Sequence, residues 1–334
     1  MRILVIQLRR IGDILVTTPV MGALREAYPD ATIDFLTEPM GEPALRGLPG
    51  LNEIIALDKE AFLRQLLDIR RRRYDWVLDF INTPRSAQVA LASGAPVRAG
   101  FETLGWGLAY NHRVSHDPVP RYIVEQKFDL LRALGLKPAP ALPRLALTDD
   151  DFAGAEDWWK KNGLDRFPAR VGLAPAHRRP IRQWPEKQWA RLIPRLLKPG
   201  RAVILFGGPG EEDILARLAA PHEDRVFAIP PGPWRQAAAL LARCRAVASN
   251  CSGTMHAAVA VGTPTVTLYG PSMSEVWNPG RPPHRIVRAE GLACLGCRRD
   301  MCPYRHECME WISPERVASE LEDILENRTD SGNN

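Results

Sequence analysis

One aspartate and several arginines stand in segments suited to acid–base and phosphate chemistry. The stretch Arg9-Arg10-Ile11-Gly12-Asp13-Ile14-Leu15-Val16-Thr17-Thr18-Pro19 directly follows an apolar run, Ile3 to Leu8. Gly12 permits a tight turn with close backbone approach to a ligand, and Asp13 then sits where a strand ends, a suitable place for a general base. The same aspartate could instead cap a helix, while Thr18-Pro19 offers a competing helix start. Arg9 and Arg10 face the same loop, where two permanent cations favour the ionised carboxylate.

In the second half, Ala174-Pro175-Ala176-His177-Arg178-Arg179-Pro180-Ile181-Arg182-Gln183-Trp184-Pro185 lies between an apolar run and a helical stretch. Arg178, Arg179 and Arg182 either clamp a diphosphate or form a solvated basic loop. Gly207-Gly208-Pro209-Gly210-Glu211-Glu212 is a glycine-rich turn that matches neither the Walker loop nor the dinucleotide fingerprint. Glu211 could accept ribose hydroxyls or serve a helix macrodipole. In Asn250-Cys251-Ser252-Gly253-Thr254-Met255-His256, small residues before a helix expose backbone N–H groups to an anion. His256 is either a ligand contact or a buried structural histidine.

Four of the six cysteines, Cys294, Cys297, Cys302 and Cys308, have the spacing C-x2-C-x4-C-x5-C. This suits structural zinc or an iron–sulfur cluster, with His306 able to replace one thiolate, or else a set of free, redox-sensitive thiols. The run Arg70 to Arg73 ends an amphipathic helix whose Phe62, Leu63, Leu66 and Leu67 form one face. Such a run is a solvated helix end or a device that steers the protein to an anionic membrane surface.

These residues need elements to position them. A length of 334 residues, with 45% hydrophobic and 25% charged side chains, gives roughly two well-cored domains. No window approaches the ~18 apolar residues of a membrane span, and the N-terminal apolar run is too short for a signal peptide, so a cytoplasmic location is expected. The net charge of +5 favours anionic partners. No aromatic-plus-basic nucleic-acid module is present, and nucleic acid is not an expected partner.

Ile3 to Leu8, Thr32 to Leu36, Glu53 to Leu57 and Trp76 to Phe80 read as strands between helical stretches. Val171 to Ala174, Ala202 to Phe206, Val226 to Ala228, Ala246 to Ser249 and Thr265 to Tyr269 restart the pattern. The expectation is an α/β fold of two doubly wound parallel-sheet domains, residues 1–150 and 151–312, facing a central cleft. A proline-rich connection and the acidic helix start Asp149-Asp150-Asp151 mark the join. A capped helix, 313–327, and a polar tail, 328–334, complete the chain.

Taken in order, the Gly12-Asp13 loop, Arg182-Gln183-Trp184-Pro185, Gly207-Gly208-Pro209, Ser252-Gly253-Thr254-Met255-His256 and Tyr269-Gly270-Pro271 resemble glycosyltransferase family 9. Its best-known members are the heptosyltransferases of the lipopolysaccharide inner core. Gly12 to Pro19, Tyr122-Ile123-Val124-Glu125 and Glu275-Val276-Trp277 look most like the heptosyltransferase III branch. The resemblance implies a GT-B architecture of two Rossmann-like domains, an acceptor-binding first domain and a nucleotide-sugar-binding second domain, with the terminal helix crossing back to the first.

It further implies inverting transfer from ADP-L-glycero-D-manno-heptose to a lipopolysaccharide core or other glycolipid, without a catalytic cofactor, at the cytoplasmic face of the inner membrane. By position, Asp13 is the base. Arg182 holds the diphosphate where the family usually has lysine, and Glu211 meets the nucleoside. Cys251, Ser252, Gly253, Thr254 and His256 surround the donor, while Arg9, Arg10, Gly12, Arg178 and Arg179 contact phosphate or acceptor. Cys251 departs from the family's aspartate; a thiol cannot accept two sugar hydrogen bonds as a carboxylate does. A different nucleotide-sugar donor, or a silent sugar- or nucleotide-binding protein, is the alternative.

Overall fold

The computed structural model describes residues 1–103 and 105–327, so the expected polar tail lies outside the described residues. The chain divides into two compact units, one from Met1 to Ala146 and the other from Leu147 onward.

In the first unit, strands β1 (Arg2–Ile6), β2 (Thr32–Thr37), β3 (Glu53–Ala56), β4 (Trp76–Asp79), β5 (Val97–Phe101) and β6 (His112–Val114) form one parallel sheet in the order β3-β2-β1-β4-β5-β6. The second unit holds β7 (Ala169–Ala174), β8 (Arg201–Leu205), β9 (Val226–Ala228), β10 (Ala246–Asn250), β11 (Thr265–Tyr269) and β12 (Arg285–Arg288). Their order, β12-β11-β10-β7-β8-β9, is the same topology. Parallel neighbours require crossovers, and helices on both faces bury each sheet twice over, which is why Ile3 to Ile6 and Ala202 to Leu205 are continuously apolar and fully buried. β5, β6 and β12 were not among the expected strands. Arg98, His112, Arg113, Arg285 and Arg288 interrupt any apolar run there.

In each unit the first and fourth strands lie side by side at the centre, β1 against β4 and β7 against β10. Their connections leave in opposite directions, which opens a crevice at the strands' carboxyl ends, the usual ligand position in such sheets. Gly100 on β5 helps shape the first of these. A side-chain carbon there would come within 2.6 Å of Asn82 Nδ2 and 2.8 Å of the Tyr110 ring.

The helix Asp149–Lys161 opens the second unit as its acidic start suggests. Asp151 accepts a hydrogen bond from the Thr148 N–H at 2.8 Å and a bidentate pair from Arg235, at 2.7 and 2.6 Å. The last helix, Pro314–Asn327, completes the core of the second unit: its Val317, Leu321, Ile324 and Leu325 pack with Trp184, Leu192, Val266 and Val287. Trp184 Nε1 also donates to the Ile312 carbonyl at 3.0 Å, and Arg285 pairs with Glu320.

The Arg235 guanidinium draws the Asp151 carboxyl from 3.8 down to about 2. A depressed carboxylate stabilises the fold above its unfolded value and loses that contribution as pH falls through the folded one, on the order of 2 kcal/mol here. Urea unfolding of the second unit's transition at stepped pH should show this loss in the wild type between pH 3.8 and about 2, and a smaller loss in Asp151→Asn.

Candidate active site

The first unit's crevice lies between the segments after β1 and β4. Residues Ile11–Leu15 form a short helix directly after β1, and a second, Thr18–Ala27, follows with Pro19 in its first turn, so both helix starts anticipated from the sequence occur. Asp13 is half-buried. Its Oδ2 accepts from the Arg10 N–H at 3.1 Å, and its other oxygen has no hydrogen bond among the described residues. Asp13 therefore does cap the helix start, yet keeps one oxygen open to a ligand. Gly12 is half-buried and the side chains of Arg9 and Arg10 are exposed.

Beneath this turn lies a polar cluster that sequence reasoning did not single out. Gln7, buried at the end of β1, donates from Nε2 to the Arg9 carbonyl at 2.8 Å and accepts at Oε1 from Lys127 Nζ at 3.0 Å. Asp79, fully buried at the end of β4, accepts from the Ile81 and Asn82 N–H groups at 3.0 Å and from the Tyr110 hydroxyl at 2.6 Å. Burial pushes the Asp79 carboxyl up against those hydrogen bonds. The residues come from helices and strands far apart in sequence, so no local pattern announces them.

In the second unit, the segments after β7 and β10 meet. Asn250, fully buried at the end of β10, accepts from the Trp184 N–H at 2.9 Å and donates to the Pro175 carbonyl at 2.9 Å. His177 Nδ1 accepts from the Arg179 N–H at 2.9 Å, which leaves Nε2 to donate to the Cys251 carbonyl at 3.0 Å. Burial, then the nearby arginines, lower the His177 pKa, so the neutral ring is the form that locks the two loops together. Arg182, at the end of the turn Pro180–Arg182, lies near enough to act electrostatically on both His177 and Cys251. Its Nε is buried with no hydrogen-bond partner among the described residues.

Cys251 is itself buried, and its thiol is pushed up to about 11 by that burial, against the pull of Ser272, Arg182 and Tyr269. It is thus a neutral thiol at pH 7. Ser252 precedes the helix Gly253–Ala260 in extended backbone, and its Oγ is likewise buried without a partner among the described residues. Gly253 is exposed at the helix start and Thr254 is half-buried. His256 is buried and packs edge-on against Trp277, with ring centroids 5.7 Å apart.

The remaining donor-side residues are more dispersed. Glu211 Oε2 accepts from the Gly208 N–H at 2.7 Å and so closes its own glycine-rich turn ahead of the helix Glu212–Ala219. Arg179 is engaged with Asp300 at 2.8 Å, and Arg178 is exposed. Arg182, Cys251 and Ser252 are brought together; Arg178 and Arg179 lie on the outer side of that loop.

The four-cysteine segment serves as a brace. The Gly296 N–H donates to the Gly270 carbonyl at 2.9 Å and the Arg298 N–H to the Pro271 carbonyl at 2.8 Å, so the segment backs the loop that carries Ser272. Gly270 has no room for a side chain, since a carbon there would meet Met309 Sδ at 2.6 Å and Cys308 Sγ at 2.9 Å. The Cys308 thiol is raised to about 11, first by burial and then by Cys294, Cys302 and Cys297 nearby. The thiols are neighbours, but among the described residues no three His, Cys, Asp or Glu side chains are arranged to hold a metal ion. All six cysteines are free, and His306 is turned away to the Ile181 carbonyl. Of the two alternatives for this segment, a metal site or free thiols, the arrangement of the described residues fits the free thiols.

A buried neutral thiol is a poor nucleophile, because the thiolate is the reactive form. Iodoacetamide at pH 7.5 should leave Cys251 unmodified in the folded protein while alkylating the half-buried Cys294, Cys297 and Cys302, as read by peptide mass spectrometry. Rapid labelling of Cys251 would contradict its placement.

The model of glycosyltransferase family 9 (heptosyltransferase) matches residues 62–307. Lipopolysaccharide heptosyltransferase 2 of Salmonella typhimurium is 29% identical, across 97% of this chain and 99% of the relative. Lipopolysaccharide heptosyltransferase 3 of Escherichia coli K12 is 26% identical, across 80% of this chain and 82% of the relative. The solved structure of the E. coli ADP-heptose heptosyltransferase II aligns with a TM-score of 0.82 and 26% identity, covering 98% of this chain and all of that one. Both sheets with their flanking helices accord with the GT-B class of that structure. The chain belongs to glycosyltransferase family 9.

Proposed function

We propose that the protein is an inverting, metal-independent glycosyltransferase that moves a heptose from ADP-L-glycero-D-manno-heptose to a lipopolysaccharide inner-core acceptor. The observation that carries this reading is the half-buried Arg182 side chain, whose buried Nε has no hydrogen-bond partner among the described residues, near Cys251, the residue that precedes Ser252 and the helix Gly253–Ala260. A buried donor without a partner is costly unless an acceptor fills the place, and a helix N-terminus adds its own N–H donors and dipole. A diphosphate satisfies both. The names of the relatives supply the sugar, the nucleotide and the acceptor class.

In this mechanism the acceptor hydroxyl gives its proton to the open oxygen of Asp13. The hydroxyl oxygen bonds to the anomeric carbon as the bond from that carbon to the ADP oxygen breaks, and the electron pair leaves with ADP. Attack opposite the leaving group inverts the anomeric centre. Arg182 and the N–H groups of Gly253 and Thr254 receive the charge that develops on the diphosphate, an electrostatic contribution of about 3 kcal/mol per well-placed donor. Glu211 retains one oxygen for the ribose, and His256 lines the donor side. At Cys251 a sugar hydroxyl meets a neutral thiol in place of a carboxylate, so donor selectivity rests more on the surrounding backbone.

A lipid-linked acceptor calls for approach to the cytoplasmic face of the inner membrane, and no described helix is long and apolar enough to cross a membrane. The helix Phe62–Arg71 favours peripheral contact. Phe62, Leu66 and Ile69 face the core, whereas Leu63 and Leu67, expected on that same face, are 78% and 57% exposed beside Arg64, Arg70 and Arg71. Arg72 is withdrawn into ion pairs with Glu53 and Asp34. Vesicles with 30% anionic lipid should bind the wild type in a salt-sensitive manner, and Leu63→Ser with Leu67→Ser should weaken binding severalfold.

Calorimetric titration with ADP, GDP, UDP and CMP should favour ADP at least tenfold, about 1.4 kcal/mol. Asp13→Asn should lower kcat by about 10²–10⁴-fold with ADP affinity unchanged. Arg182→Ala should lower kcat/KM by about 10²-fold and weaken ADP binding. Preference for another nucleotide would overturn the donor, and binding without turnover would leave a silent binding protein.

A further inference from the structure

We propose that Lys127 is a positioning residue for the transfer, acting through Gln7 on the turn that carries Asp13; the proposal rests on Asp13 being the base. Lys127 comes from the helix Ile123–Arg132 and is 5% exposed. From its ammonium a chain of three hydrogen bonds reaches the carboxylate. Lys127 Nζ donates to Gln7 Oε1 at 3.0 Å, Gln7 Nε2 donates to the Arg9 carbonyl at 2.8 Å, and the next residue's N–H, that of Arg10, donates to Asp13 Oδ2 at 3.1 Å.

The direction of this chain is dictated by lysine having donors and no acceptor. Only the oxygen of the Gln7 amide can face it, so the amide nitrogen must face the Arg9 carbonyl. That fixes the peptide preceding Arg10 and aims the Arg10 N–H at one carboxylate oxygen, leaving the other for substrate. An apolar residue at 127 would fill the space but would let the Gln7 amide turn over.

The charge has a second effect. The groups facing Nζ are Gln7 from the end of β1, Asp13 from the helix Ile11–Leu15, and Asp79 with the Phe80 ring, 5.3 Å away, from β4. Asp79 is already satisfied by Tyr110 and two N–H groups, whereas Asp13 has an open oxygen. Attraction to Asp13 and Asp79 holds the ammonium in place against the burial that brings Lys127 itself down to about 8.

The test compares Lys127→Met and Gln7→Glu with the wild type and Asp13→Asn, using ADP release from ADP-heptose with the core acceptor across pH. Gln7→Glu keeps side-chain size but replaces the donor to Arg9 with an acceptor. Both variants should lower kcat tenfold or more with donor KM within twofold, and the double variant should be no worse than either single one. Thermal melts establish that each variant is folded, and if Lys127→Met does not fold, Gln7→Glu alone decides. Unchanged kcat in both variants, with Asp13→Asn inactive, would overturn the role of Lys127 and leave the base in place. An active Asp13→Asn, or a wild type that releases no ADP, would remove the reading beneath it.

Discussion

Where two adjacent parallel strands send their connections to opposite faces of a sheet, the backbone must part, and the side chains at that parting answer to neither neighbour. Each unit of this chain has one such place, and each is filled by the same device. A fully buried polar residue ends the fourth strand, Asp79 on β4 and Asn250 on β10, and uses its side chain to hold backbone N–H or C=O groups of the diverging segments. The candidate site segments lie at these partings, and side chains supply the hydrogen bonds that loop backbone lacks.

The two supports differ in charge, and that difference divides the labour. Around Asp79 the first unit gathers a lysine, a tyrosine and a second aspartate, a set suited to holding and moving a proton. Around Asn250 the second unit is neutral, with a histidine locked in one tautomer and a thiol that keeps its proton. In that setting Arg182, whose Nε has no hydrogen-bond partner among the described residues, acts on both His177 and Cys251.

Much of this was legible in the residues. The continuous apolar runs of β1, β4, β8 and β10 declare strands buried on both faces, and the small or charged residues just past their ends mark where ligands bind. What was hidden had physical reasons. β6 and β12 are edge strands, where one flank is open and arginine is tolerated, and β5, next to an edge, carries Arg98, so no apolar run marks them. Leu63 and Leu67 read as core because helical spacing cannot say which of two adjacent stripes faces inward. Lys127 is separated by 120 positions from Gln7, and its role is created only when the chain folds. The cysteine spacing suggested a ligand set, whereas the folded segment directs its backbone, more than its sulfurs, to the loop at Gly270 and Pro271.

The last helix has a consequence for how the protein is made. The first unit owns every element of its sheet by residue 114 and closes by Ala146, early in synthesis. The second cannot close until Val317, Leu321 and Leu325 have left the ribosome, because they cover the floor formed by Val266 and Val287. Until that helix emerges the second half carries an open apolar sheet beside a first half that is already complete, the kind of surface that chaperones hold and that aggregates when they do not. The final dozen described residues thus set the timing of folding for the rest of the second unit that precedes them.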